Sequence, residues 1–106
     1  MYVFCIRMCT VQIPRDGTLP TTVIKYNQST PLADKFKQLQ SWLADDGYGL
    51  VLMYHHEPDN TGHWEGPDSP NIVKVLKEID LEFGVFVNEL KAKGLYDKVI
   101  NICVLI

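Results

Sequence analysis

Asp59 and His63 are the two residues most suited to chemistry, four apart across Asn60-Thr61-Gly62. A carboxylate oxygen and an imidazole nitrogen together suit zinc or another first-row divalent ion. Gly62 relieves the backbone enough for both side chains to turn toward one point. On spacing alone, both can equally be solvated loop residues, with Asp59 capping a turn, because short patterns match by chance. Two ligands also fall short of the three that a catalytic zinc normally takes from the protein.

Around this pair lie His55, His56, Glu57 and Trp64. The two histidines sit at the end of an apolar run, where strand geometry sends neighbours to opposite faces, one packing and one solvated. Glu57 is a candidate partner for a ligand histidine from outside the metal shell, or an exposed carboxylate. Trp64 offers a ring for stacking on a substrate, or a lid over the loop. No phosphate-cradling glycine loop, GxSxG elbow or serine–histidine–aspartate arrangement is present.

The elements that must position these residues follow from periodicity. Leu50–Tyr54 reads as a strand buried on both faces, as in a parallel sheet, feeding a polar loop that closes at Gly66-Pro67. Ser69 then caps a helix with Pro70 in its first turn. Ile72, Leu76, Ile79, Phe83, Phe86 and Leu90 form its core-facing stripe, Gly84 serves close packing at a cost of about 1 kcal/mol, and Gly94 stops it. Val99–Ile106 reads as a second buried strand, which makes a right-handed parallel crossover. Upstream, Thr30-Pro31 starts a helix carrying Leu32, Phe36, Leu39 and Leu43 on one face and ending near Asp45–Gly47. Residues 1–12 form an initial strand, and residues 13–31, rich in turn formers, form a surface loop. On that loop Asn27-Gln28-Ser29 is a glycosylation acceptor, a triplet that also arises by chance.

The 106 residues make one domain at most, 46% hydrophobic and 22% charged, with net charge −3. That mildly acidic balance argues against a nucleic-acid polymer or an anionic membrane as main partner. No apolar run approaches the roughly 20 residues of a membrane span, and the N-terminus lacks the features of a signal peptide. Cys5, Cys9 and Cys103 have no zinc-like spacing and read as buried thiols. Domains seldom stop inside a core strand, so the apolar ending is read as a cut through a larger domain. The fold class is therefore α/β, a strand–helix–strand unit preceded by a loop and a helix.

Leu52-Met53-Tyr54, Glu57-Pro58-Asp59, Gly62-His63 and Gly66-Pro67 together resemble the ectonucleotide pyrophosphatase/phosphodiesterase family of the alkaline-phosphatase superfamily. Its pattern is an apolar strand, Glu-Glu-Pro-Asp-x-x-Gly-His-x-x-Gly-Pro, a long helix and an apolar strand. Val75-Leu76, Ile79-Asp80, Pro20-Thr21, Tyr26-Asn27 and the Pro31–Leu43 segment extend the likeness from about Val11 onward. The resemblance implies a partial alkaline-phosphatase-like fold and a two-zinc, extracellular or cell-surface enzyme. Such an enzyme cleaves phosphodiester or pyrophosphate bonds of nucleotides or lipid-like substrates through a covalent threonine intermediate. It implies that Asp59 and His63 bind one zinc together with a distant histidine. It also implies that the nucleophile, an accompanying aspartate, the Asp-His pair beyond Val99–Ile106 and that histidine lie outside this chain. His56 and Glu65 depart from the pattern, and Met1–Met8 departs from an expected tryptophan–proline–glycine segment. The chain is thus expected to be an internal fragment, silent alone; the alternative is a non-catalytic binding or scaffold module that uses the surface around Trp64.

Overall fold

In the computed structural model, which describes the backbone of residues 2–6 and all of residues 20–103, three short strands make a parallel sheet. They are β1 (Tyr2–Ile6), β2 (Thr22–Lys25) and β3 (Leu50–Leu52), in the order β2-β1-β3. Phe4 is level with Val23 on one side and Leu52 on the other. The initial strand is therefore present, and β2 lies within what the turn formers suggested was loop. Residues 1 and 7–19, with Cys9, are outside the described set. β3 is two residues shorter than expected, because its pairing with β1 ends at Leu52. It is not buried on both faces either: Leu50 and Leu52 are exposed.

Helix α1 (Leu32–Ala44) starts one residue after the expected proline. Pro31 itself is the capping residue and its carbonyl accepts from the Asp34 and Lys35 amides, while the Thr30 hydroxyl makes no cap bond. Gly47, at φ +65°, follows the helix end in a left-handed conformation that glycine adopts freely. The polar segment expected to be a loop contains a second helix, α2 (Asp59–Glu65). The long helix α3 (Pro70–Ala92) begins as expected, with the Ser69 hydroxyl accepting from the Ile72 amide at 3.3 Å.

The core forms where α1 crosses α3: Leu32 and Phe36 meet Phe86 and Leu90, with Leu39, Met53, Ile79 and Phe83 around them. Phe36 stacks on Phe86 at 5.1 Å, and the Gln40 amide donates to Glu89 at 2.6 Å. At 1.5 Å per residue the 13-residue α1 cannot cover the 23-residue α3. Leu76, expected in the buried stripe, is accordingly 46% exposed near the uncovered end. Gly84 was expected to permit close packing, yet a Cβ there would meet nothing within 4 Å among the described residues.

After α3, Gly94 at φ +69° turns the chain into a single 3-10 turn, Tyr96–Lys98. Residues 99–103 make no ladder with the sheet, and Ile100, Ile102 and Cys103 are exposed. The expected second strand is thus not formed over its described part, because it has no hydrogen-bonded neighbour there; residues 104–106 lie outside the described set. Cys103 is correspondingly no buried thiol. The architecture is α/β, with parallel strands flanked by the α1–α3 pair.

Candidate metal site and its supporting turn

Asp59 and His63 are brought together by α2, not by a glycine-relaxed loop. One helical turn separates i from i+4 and stacks the two side chains on one face. Asp59 Oδ1 lies 3.2 Å from His63 Nε2, and both side chains are open to solvent. Gly62 has no positive φ; it sits inside the helix, where a Cβ would lie 3.7 Å from the Ile72 side chain.

Two donors held at about 2.0–2.1 Å around a tetrahedral zinc stand roughly 3.3 Å apart. The Asp59–His63 separation of 3.2 Å is close to that spacing, as it is to that of a direct imidazole–carboxylate contact, and the oxygen–nitrogen donor set suits the ion. No group of three or more histidine, cysteine, aspartate or glutamate side chains that could hold a metal occurs among the described residues. The pair can therefore supply half of a four-coordinate shell.

Glu57 does not touch His63. Its carboxylate accepts the Thr61 amide at 3.0 Å, capping the first turn of α2, and approaches His56 Nε2 at 4.0 Å. A carboxylate there satisfies an otherwise orphaned helical N–H and suits the positive end of the helix dipole. Trp64 is 86% exposed beside His63. Asn27 is exposed in a turn, its side-chain oxygen accepting the Ser29 amide at 2.9 Å.

His55 and His56 correct the expectation most sharply. The strand has ended before they are reached, so alternation does not separate them, and their rings come within 4.7 Å. Their partners were not apparent in the sequence. Lys35, buried on α1, places its ammonium 3.2 Å from His55 Nδ1, 3.5 Å from the Tyr54 carbonyl and 4.7 Å above the Tyr26 ring. An ammonium only donates, so His55 Nδ1 accepts and the ring is neutral, with its proton on Nε2. The Tyr26 hydroxyl is 2.6 Å from His56 Nδ1, and its ring meets Tyr54 edge-on at 5.2 Å.

Burial, and next the Lys35 charge, lower the His55 pKa to about 4; the His56 charge adds to this and Glu57 opposes it. Burial and then Lys35 lower His56 in the same sense, again against Glu57. An open depression of about 270 Å³ runs past this turn, lined by Thr30, Pro31, His55, His56, Glu57 and Glu78 among others. Neither Asp59 nor His63 lines it. Among the described residues, no helix is long and apolar enough to cross a membrane.

Comparison with known proteins bears on this arrangement. Residues 1–105 match the family described as type I phosphodiesterase / nucleotide pyrophosphatase. The chain is 35% identical over 86 residues to a bis(5'-adenosyl)-triphosphatase of Xenopus laevis, covering 78% of this chain and 19% of that protein. It is 34% identical over 93 residues to ectonucleotide pyrophosphatase/phosphodiesterase family member 3 of Mus musculus, covering 85% and 10%. Murine ectonucleotide pyrophosphatase/phosphodiesterase 5 superposes with a TM-score of 0.66 at 34% identity, over 76% of this chain and 22% of that one. An inactive form of that murine protein, solved in complex with AMP, superposes equally well. The chain thus spans between 10% and 19% of the length of these two curated relatives.

Proposed function

The chain belongs to the type I phosphodiesterase / nucleotide pyrophosphatase family, and from that premise we propose that it is part of a zinc-dependent phosphodiesterase domain in which Asp59 and His63 hold one metal ion. The observation that carries this reading is the 3.2 Å approach of Asp59 Oδ1 to His63 Nε2 on one exposed helical face. Zinc held there would polarise a phosphoryl oxygen and lower the pKa of the attacking group. The chain's own residues present and orient the two donors: Glu57 caps the helix that carries them, and Ile72 of α3 lies against its glycine.

The substrate we propose is a nucleotide phosphodiester or pyrophosphate. One relative is named as a bis(5'-adenosyl)-triphosphatase, and another was solved with AMP. Trp64, exposed beside His63, offers a face on which a base can stack. Exposed Asn27 within Asn-Gln-Ser is read as a glycan acceptor, consistent with an extracellular or cell-surface protein.

Two donors are fewer than a catalytic zinc takes, so the 106-residue chain binds zinc weakly and does not turn substrate over alone. Calorimetric zinc titration of the chain and of Asp59→Ala, with a chromogenic phosphodiester assay of both, tests this. The expected result is a weak binding heat that the substitution removes, and no turnover in either. Absence of any heat would overturn the metal reading, and turnover that Asp59→Ala abolishes would overturn the silence. The exposure of Trp64 favours a second reading, a non-catalytic scaffold that binds a partner there. In that case Asp59→Ala leaves partner binding intact while Trp64→Ala removes it.

A further inference from the structure

We propose that Lys35 and Tyr26 are positioning residues for the metal pair: they pin the turn at residues 54–56 to α1 and to the segment leaving β2, and that turn helps set where α2 points. This rests on the assignment of Asp59 and His63 as ligands, and it concerns residues that contact neither.

The observation is a lysine only 7% exposed whose ammonium reaches the Tyr54 carbonyl, the His55 ring and the Tyr26 ring. Burying an ammonium costs more than burying an apolar side chain of the same volume. Adhesion of α1 to α3 does not require it, because Leu32, Phe36, Phe86 and Leu90 already supply that contact. What Lys35 adds is directional, namely a donor aimed at the segment leaving β3. Tyr26, just past the end of β2, holds the next residue through its hydroxyl on His56 Nδ1 and packs its ring against Tyr54. Three consecutive residues are thus fixed from two different elements.

From there the connection to the metal pair is short. The Asn60 amide donates to the His56 carbonyl at 3.1 Å, Thr61 donates to the Glu57 side chain, and Gly62 donates to the Pro58 carbonyl at 2.9 Å. The first turn of α2 therefore hangs from residues 56–58. A seven-residue helix with no fully buried side chain is too short to hold itself. Its C-terminal end is tied to α3, where Asn71 Nδ2 donates to Glu65 Oε2 at 2.6 Å, and its N-terminal end, which carries Asp59, takes its direction from that turn. The lowered pKa values of both imidazoles agree with this, since neutral rings can accept hydrogen bonds at Nδ1.

The test is amide hydrogen exchange on the metal-free 106-residue chain, comparing Tyr26→Phe, Lys35→Met and Lys35→Arg, with zinc titration of each alongside. Tyr26→Phe and Lys35→Met should speed exchange at Asn60, Thr61 and Gly62 about fivefold, the size expected from one lost internal hydrogen bond. Phe86 and Leu90 on α3 should be unaffected. Lys35→Arg, which keeps a cationic donor on a larger head group, should slow α2 exchange relative to Lys35→Met. Zinc should bind about fivefold more weakly to the first two variants, and more tightly to the third than to Lys35→Met. Unchanged exchange in α2 overturns the proposal, as does exchange that rises equally in α2 and α3, which would mark the two residues as general supports of the fold. A parent chain that binds no zinc overturns the metal assignment alone, and the α2 rates still decide whether Lys35 and Tyr26 orient the helix.

Discussion

His55 and His63 stand eight residues apart and meet opposite circumstances. His55 is turned inward, its Nδ1 committed to Lys35, its pKa driven down to about 4 by burial and by that cation. His63 is displayed on a one-turn helical face with its side chain 77% exposed and an aspartate 3.2 Å away. One imidazole is spent on holding the chain in place, and the other is held out with no buried partner. On the reading proposed above, a single polar stretch divides its work: the first half builds a mount and the second half carries what is mounted. An inventory of residue types would treat the two histidines alike.

The largest perturbation removes the platform that both halves share. Leu90 is fully buried between α1 and α3, and truncating a buried leucine costs about 2–5 kcal/mol through lost burial and the cavity left behind. Leu90→Ala should therefore lower the urea midpoint markedly, with the Lys35–His55 contact and the α2 pair lost in the same transition. If the inward half survived while the outward half melted, the two would not share a platform and the comparison would break.

How much of this was legible in the sequence depends on which force fixes each element. The α3 register was readable from Ile79, Phe83, Phe86 and Leu90, because 3.6-residue periodicity directly encodes one buried face. Leu76 belongs to the same rhythm but is exposed, since periodicity does not report the length of the helix packed opposite. β2 was hidden because four residues between prolines carry too little pattern to outweigh the turn formers. α2 was hidden for a related reason: Pro58, Asn60, Gly62 and Gly66 all favour loops, and the helix rests on the Glu57 cap instead. The Asp59–His63 spacing could be read, but the geometry that joins them could not. Lys35 gave no local signal, and Tyr26 only its place in the family likeness; their role depends on which elements lie side by side.

The second perturbation, of intermediate size, is pH, which acts on the inward half. His55 has a folded-state pKa of about 4 against 6.5 for the free side chain. Between those values the unfolded chain binds more protons than the folded one, so stability is complete above about pH 6.5 and falls as the pH drops toward 4. His56, lowered in the same sense, adds to the fall. The urea midpoint should accordingly be lower at about pH 5 than at about pH 7. Lys35→Met should reduce the difference without abolishing it, because burial is the larger cause and remains. A midpoint that does not move over this range would show that the two rings are not held neutral by the fold.

The smallest effect on stability is expected at the outward half, and its smallness is informative. An exposed i,i+4 pair is worth only about 0.3–0.5 kcal/mol, so Asp59→Ala should leave the urea midpoint nearly where it was. The same substitution should remove zinc binding, since one of two donors is gone. A residue that matters little to folding and decisively to a ligand has been placed for the ligand, whereas a residue whose loss unfolds α2 has been placed for the helix. If Asp59→Ala instead destabilised the chain by more than about 1 kcal/mol, the aspartate would be acting as first-turn support for α2, in the way Glu57 does. The outward half would then be built on the same principle as the inward one, and the contrast between His55 and His63 would reduce to one of exposure.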